Sequence, residues 1–179
     1  MNDHTDRRSD TELVEAANQG DRSAFEELYH RYRNWVFSIA CRFCGNKDDA
    51  CDVLQETFFY FFNKFPGFRL RAQLKTFLYP AAKHLALNRS RKDAHTVPLS
   101  PGFDQILPQK PRDELSERRE LFEVIQILPE SQREVVMLRF ADDLDLNEIA
   151  ATLEIPVGTV KSRLHMALTR LKEHLQRKI

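Results

Sequence analysis

The fold of the second half of the chain is decided by residues 146–168, which read LNEIAATLEIPVGTVKSRLHMAL. Apolar residues recur at helical spacing on both sides of a turn at residues 155–158. The small side chain of Ala150 allows two helices to cross closely, and Val160 and Leu164 fit the second helix onto the first. The pattern predicts a helix-turn-helix, with an unrelated helical hairpin as the alternative.

The start of the second of these helices carries polar and basic side chains on its outer side. In a helix-turn-helix, the N-terminal end of this helix enters the major groove, where side chains reach base edges and phosphates. The helix dipole also favours phosphate. We therefore predict DNA contacts from Thr159, Lys161, Ser162, Arg163, His165 and Arg170.

Helical periodicity extends on both sides of the motif. One helix is predicted over 115–128, and the next starts with Pro129 at its first position and ends near Phe140. Asp145 and Glu148 can form a capping box for the short helix that follows. The last helix is predicted over 157–176, with an inward face of Val160, Leu164, Ala167, Leu168, Leu171 and Leu175.

The first half of the chain is also predicted to be helical. Ser23 and Glu26 can form a capping box at the start of its second helix. Pro80 lies inside its fourth helix and removes one backbone donor, so we expect a kink or a restart there. The four predicted helices cover about 11–18, 23–44, 48–65 and 73–91.

A proline-rich stretch separates the two halves. Residues 93–113 have little periodicity and hold Pro98, Pro101, Pro108 and Pro111 with Gly102, which is the composition of a flexible linker. The prediction is an all-α chain with two small helical domains, residues 11–92 and 114–177. The helix-turn-helix belongs to the C-terminal domain.

Charge is distributed unevenly along a chain whose net charge is zero. Residues 10–63 hold ten acids and five bases, whereas residues 69–92 hold seven bases and no acid. Residues 156–179 hold six bases and one acid. Two basic blocks predict two separate contacts with a polyanion, and the acidic region favours a basic protein partner. Ordinary solvated helix faces are the alternative.

Catalytic motifs are missing from the sequence. It has no Gly-rich phosphate loop, zinc-protease helix or nucleophile elbow. Asp48, Asp49, Asp52 and Glu56 could in principle hold a divalent metal, but we favour no enzyme activity, no metal, no cofactor and no small-molecule substrate. The six histidines lack ligand spacing: His4, His30, His84, His95, His165 and His174.

Cysteine usage and hydropathy indicate in which cellular compartment the protein works. Cys41, Cys44 and Cys51 are odd in number and fall in helical patterns, so we expect small buried side chains. A zinc or redox pair at Cys41 and Cys44 is the less favoured alternative. The polar N-terminus is unlike a signal peptide, and no apolar run is long enough for a membrane span. We expect a cytoplasmic protein without membrane insertion.

Five stretches together resemble one family. Residues 149–165, IAATLEIPVGTVKSRLH, closely resemble the C-terminal domain of extracytoplasmic-function (ECF) sigma factors of bacterial RNA polymerase, and residues 128–135 are similar to the helix before it. Residues 49–58, DACDVLQETF, look like the core-polymerase-binding motif of that group. Residues 74–79 and 85–89 are similar to its promoter-reading helix.

The resemblance implies a role for each domain. Residues 11–92 would be sigma region 2, which binds core polymerase and the −10 promoter element, and residues 114–177 would be region 4, which binds the −35 element. Asp52, Gln55 and Glu56 share a helix face by their spacing. The family docks this face on the clamp helices of the largest catalytic polymerase subunit. With Asp49, these residues are the expected polymerase contacts.

The resemblance also implies contacts with the −10 element. The connector 68–73 would capture a flipped base of the non-template strand, and Phe68, Phe77 and Tyr79 are candidate stacking partners. The expected partners are core RNA polymerase, promoter DNA and an anti-sigma factor. The expected −10 contacts are Phe68, Arg69, Arg71, Lys75, Lys83, Arg89 and Arg91.

The chain departs from the family pattern at four positions. Pro80 replaces a residue that is usually basic, and Phe77 stands where Trp is common. Glu154 occupies a turn position that is often Gly, which costs strain if the backbone there is left-handed. Met166 takes the place of a basic DNA contact. The alternative function is a helix-turn-helix regulator that acts through an N-terminal partner-binding domain without replacing a sigma factor.

Overall fold

A computed structural model describes residues 7–92 and 124–177 of the chain. The chain divides into two compact units, Met1–Ile106 and Leu107–Ile179. The described residues are helical and contain no strand, which confirms the predicted all-α class. The predicted linker and most of the predicted helix at 115–128 lie outside the described residues. The helices are α1 Asp10–Asn18, α2 Arg22–Cys44, α3 Lys47–Phe62, α4 Leu74–Lys92, α5 Glu130–Val136, α6 Leu146–Leu153 and α7 Val157–Gln176.

The start of α2 differs from the predicted capping box at Ser23. The cap is Asp21, whose side chain accepts a hydrogen bond from the backbone N–H of Ser23 at 2.9 Å. Gly20 precedes it with φ of 89°, a conformation that glycine adopts without strain. The chain therefore turns before Asp21, and Ser23 already lies inside the helix. The predicted stop is confirmed, because Gly45 ends α2 with φ of 77°.

The ends and continuity of α3 and α4 also differ from the pattern. Helix α3 ends at Phe62, before the predicted end at residue 65, so the connector to α4 is longer than the predicted 68–73 and comprises residues 63–73. Helix α4 continues through Pro80 without a restart. Leu78, Tyr79 and Ala82 beside the proline are buried. Their packing holds the helix together where one backbone hydrogen bond is missing.

Helix α2 is the centre of the first unit and packs against α1, α3 and α4. At one end, small residues allow close approach: Ala40, Ala50, Val53 and Ala86 are fully buried. At the other end, aromatic rings pack edge to face, as in the pair Phe25–Phe62, whose centroids lie 5.1 Å apart. Phe59 and Tyr60 lie outside this aromatic cluster and are 71% and 44% exposed.

In the second unit, α7 packs against both α5 and α6, and Leu128, Val136 and Ala167 form a buried apolar cluster. Helix α5 begins after Pro129, which is its N-cap and not its first residue, and continues as a π-helical segment at Met137–Ala141. Leu164 and Leu171 of α7 pack inward. Leu168 and Leu175 were predicted to face inward and are 45% and 49% exposed, because they lie to one side of the stripe that meets α5.

Candidate functional site

The acidic side of α3 is held by one arginine from α4. All three guanidinium nitrogens of Arg89 are used: Nε lies 2.9 Å from Asp49 Oδ1, Nη2 lies 2.5 Å from Asp52 Oδ2, and Nη1 lies 3.0 Å from Glu56 Oε1. The side chains of Asp52 and Glu56 remain about half exposed, at 50% and 52%. We call the surface formed by Asp49, Asp52, Gln55 and Glu56 the acidic face.

The surroundings of Arg89 differ from those that the prediction assumed. Arg89 was expected to contact the backbone of the −10 strand, but its guanidinium points to carboxylates on α3. The physical reason is charge: three carboxylates lie within reach, and a guanidinium binds carboxylates through its planar array of donors. The predicted grouping of Asp52, Gln55 and Glu56 on one exposed side of α3 agrees with the structure, since all three are exposed.

The connector between α3 and α4 is fastened to α1. The side-chain amide of Asn18 accepts a hydrogen bond from the Gly67 N–H at 2.6 Å and donates one to the Phe68 carbonyl at 2.8 Å. Gly67 has φ of 106°, which favours glycine. The sequence offered no signal for Asn18, because the two partners lie 49 and 50 residues away along the chain.

The aromatic residues considered for base stacking lie in different surroundings. Tyr79 is 2% exposed and belongs to the core, so its ring is not a stacking surface. Phe77 is half-buried and stacks on Tyr60, with centroids 5.9 Å apart. Phe68 is half-buried, and its ring meets Phe61, Phe65 and Phe77 at 5.2, 5.4 and 4.9 Å. The Phe68 ring therefore packs in an aromatic cluster with one ring each from α3, the connector and α4.

The basic residues expected at the −10 element are not equivalent. Arg69 and Arg71 of the connector are exposed. Lys75 and Lys83 are half-buried, with Nζ atoms 5.7 Å from the Trp35 ring centroid and 5.6 Å from that of Phe43. These contacts are cation–π interactions. The side chain of Arg91 lies outside the described residues.

The helix-turn-helix is built from α6, the turn and α7. The predicted capping box is present, since Asp145 Oδ1 accepts from the Glu148 N–H at 2.8 Å and Glu148 Oε2 accepts from the Asp145 N–H at 2.8 Å. Glu154 ends α6 in the left-handed region with φ of 53° and ψ of 42°. The turn position that is often Gly in the family is therefore strained here.

The outer side of α7 presents the predicted DNA contacts. Lys161, Ser162 and His165 are exposed, and Thr159 and Arg163 are half-buried. The Ser162 hydroxyl donates to the Thr159 carbonyl at 3.0 Å. Arg170 is exposed, and its Nη1 lies 3.3 Å from Gln132 Oε1, so α5 orients this side chain. Met166 is 44% exposed on the same helix.

The remaining candidate features are a metal site, a redox-active cysteine pair and a membrane span. Across residues 7–92 and 124–177, no group of three or more His, Cys, Asp or Glu side chains is placed to hold a metal ion. Burial and the neighbouring Cys51 raise the pKa of the Cys41 thiol to about 11, which keeps it protonated at neutral pH. Cys41 and Cys44 are half-buried and Cys51 is exposed, so the expected burial is only partial. Within the described ranges, no helix has the length and apolar character that crossing a membrane requires.

Two family models match the chain. The model described as "Sigma-70 region 2" matches residues 28–96, and that described as "Sigma-70, region 4" matches residues 118–171. Sequence relatives include the ECF RNA polymerase sigma-E factor of Haemophilus influenzae, 30% identical over 94% of this chain and 96% of the relative. The sigma-E factor of Escherichia coli K12 is 31% identical over 96% and 97%. The ECF sigma factor SigW of Bacillus subtilis is 29% identical over 91% and 95%.

Solved structures share the fold. CnrH, solved in complex with the cytosolic domain of CnrY, superposes with a TM-score of 0.69 and 22% identity over 95% of this chain and 99% of CnrH. The sigma factor RpoE of Bartonella quintana, solved with the anti-sigma factor NepR, has a TM-score of 0.59 and 22% identity over 85% and 96%.

Proposed function

The chain belongs to the ECF sigma factors of bacterial RNA polymerase, which direct the polymerase to promoters, and from that membership we propose which of its surfaces does what. The family match and the separate acidic and basic surfaces favour a sigma factor over a regulator that acts without replacing one. We further propose that the chain catalyses no reaction of its own and works in the cytoplasm, where its polymerase is.

The acidic face of α3 is the proposed docking site for core polymerase. The observation that carries this proposal is the exposure of Asp52, Gln55 and Glu56 on one side of a helix whose opposite side is buried. Carboxylates at an interface attract basic partner residues and steer their approach. The proposed region 2 comprises residues 11–92, the linker 93–113 and region 4 residues 114–177.

The connector and α4 form the proposed contact with the −10 element. Arg69 and Arg71 are exposed on a loop fastened by Asn18, so they can reach phosphates while the loop keeps its shape. Binding of melted DNA needs a cationic surface and sites for unstacked bases. Phe68, Lys75, Lys83 and Arg91 are proposed to complete this contact. Arg89 is left out of it because its donors are taken by the acidic face.

Helix α7 is the proposed reader of the −35 element. Its N-terminal half carries Lys161 and His165 on the exposed side, where a recognition helix meets base edges and phosphates. Thr159, Ser162, Arg163 and Arg170 are the further proposed contacts. An anti-sigma factor is a proposed partner as well, by analogy with CnrH and RpoE, both of which were solved with protein partners.

The docking proposal is tested by binding purified chain to bacterial core polymerase. A triple variant, Asp52→Ala, Gln55→Ala and Glu56→Ala, should lose affinity by about 10-fold or more, because two charged contacts are removed. A matched control, Glu15→Ala, Gln19→Ala and Glu26→Ala, removes two acidic residues and one glutamine, as the test variant does, from exposed positions near or on α1 and α2. Equal binding of the triple variant and the wild type would place the docking site elsewhere.

A further inference from the structure

Arg89 occupies the same carboxylates that the proposed docking site offers to a partner. Its guanidinium contacts three of the four residues of the acidic face, at 2.9, 2.5 and 3.0 Å. A basic side chain of a partner protein would seek the same oxygens. The chain thus carries its own cation on the surface that a cationic partner has to bind.

Charge and exposure indicate that Arg89 only partly neutralises and covers the carboxylates of the acidic face. One guanidinium faces three carboxylates, so the cluster keeps a negative charge and still attracts a basic partner. Asp52 and Glu56 keep about half of their surface accessible, whereas Asp49 lies deeper at 21%. A partner cation can therefore reach the two outer carboxylates, but only by sharing them with Arg89 or displacing it.

We propose that Arg89 is an internal competitor for the polymerase, an inference that rests on the proposed docking role of the acidic face. Arg89 neutralises part of the charge that attracts a basic partner, and its positive charge repels the incoming cation. The free chain is held below the affinity that its carboxylates alone would provide. Arg89 is in this sense a residue that sets affinity through Asp49, Asp52 and Glu56 and not through DNA.

Whether removal of Arg89 strengthens or weakens polymerase binding distinguishes competition from a purely structural role. If Arg89 only held the carboxylates in shape, its removal would weaken polymerase binding. If Arg89 competes, its removal strengthens binding, and a gain of affinity cannot arise from an unfolded variant. The variant Arg89→Met keeps the length of the side chain and its suitability for a helix while it removes the charge and all donors.

The experiment measures the affinity of full-length chain for bacterial core polymerase at low and at higher salt. Arg89→Met should bind about 3- to 10-fold tighter than wild type, the size expected from one or two exposed ion pairs. The gain should shrink as salt rises, because exposed charges are screened. Arg89→Lys should fall between the two, since an ammonium cannot contact three carboxylates as a guanidinium does.

Two controls assign the gain to the acidic face. Arg22→Met removes the same charge from an exposed position at the start of α2 and should leave the affinity unchanged. In a background of Asp52→Asn and Glu56→Gln, Arg89→Met should give no gain, because the two carboxylates for which Arg89 and the partner compete are no longer charged. A gain of the same size in that background would overturn the proposal.

Equal or weaker polymerase binding by Arg89→Met, with wild-type far-UV circular dichroism, would also overturn it. If Arg89→Met loses helix content, the polymerase affinity of Arg89→Gln is compared with that of wild type instead, and equal or weaker binding again overturns the proposal. Failure of the docking proposal looks different: wild type would not bind polymerase, or the triple alanine variant would bind as wild type does.

Discussion

The side-chain amide of Asn18 holds the backbone of Gly67, whose N–H donates to Asn18 Oδ1 at 2.6 Å. The same amide donates to the carbonyl of Phe68, so one side chain satisfies two successive backbone groups of the connector. Asn18 is the last residue of α1. The shape of the loop proposed to meet the −10 strand is therefore set by a residue 49 positions earlier in the chain.

Replacement of Asn18 should weaken the first unit. Asn18→Ala removes both hydrogen bonds, and we expect the free energy of unfolding to fall by about 1–2 kcal/mol. The measurement is urea unfolding followed by Trp35 fluorescence, because the only tryptophan of the chain lies in this unit. Gln19→Ala, an exposed neighbour, should change stability by less than about 0.5 kcal/mol. Identical unfolding of wild type and Asn18→Ala would mean that the two hydrogen bonds of Asn18 contribute nothing to the stability of the unit.

Helix α2 should lose capping strength in acid. The Arg8 guanidinium, with the Ser23 hydroxyl next in effect, lowers the pKa of Asp21 from 3.8 to about 2. A pKa that is lower in the folded state stabilises the fold above pH 4, and this contribution disappears as pH falls from 4 to 2. Arg8→Ala should move the pKa of Asp21 upward, toward its ordinary value, in an NMR titration of the carboxyl group. Arg7→Ala, beside it and exposed, should not.

The turn of the helix-turn-helix should become more stable with glycine at its left-handed position. Glu154 has φ of 53°, so Glu154→Gly relieves backbone strain and should gain about 0.5–1 kcal/mol. Ala151→Gly, at an exposed site inside α6, should lose a similar amount. Because the tryptophan reports on the other unit, the measurement is amide hydrogen exchange in α6 and α7. Slower exchange in Ala151→Gly, or faster exchange in Glu154→Gly, contradicts the prediction.

Loss of Lys161 should weaken promoter binding without affecting polymerase binding. Lys161 is exposed near the start of α7, and Arg177 follows sixteen residues later, on nearly the opposite side of the helix axis. Lys161→Ala holoenzyme should bind −35 duplex more weakly, and its salt dependence should fall by about one counterion if the contact is to phosphate. Arg177→Ala serves as the control. A Lys161→Ala holoenzyme with wild-type promoter affinity would exclude Lys161 from the −35 contact.

Local features were predictable because their partners are close in sequence. The capping box of Asp145 and Glu148 and the turn after α6 both depend on residues within a few positions of each other. The exposed face of Asp52, Gln55 and Glu56 follows from helical spacing alone. Even here the cap of α2 was misplaced by two residues, since Gly20 and Asp21 compete with Ser23 for the same role.

Contacts between distant residues were not predictable in the same way. Arg89 reaches Asp49 across 40 residues, and an arginine in a basic block has no local sign that its partners are carboxylates. The hydrogen bonds from Asn18 to Gly67 and Phe68 are a second example of a contact that the sequence did not indicate. The inward face of α7 was overestimated at Leu168 and Leu175, because periodicity gives the direction of a stripe and not its width.

The central position of α2 has a consequence for synthesis on the ribosome. Its buried residues include Val36 and Ile39, and α4 is one of the helices that pack against it, so α2 cannot be covered on all sides until Lys92 has left the exit tunnel. At about 5–20 residues per second, the nascent chain carries an incompletely covered amphipathic helix for several seconds. The first unit can therefore close before the last helix of the chain is translated.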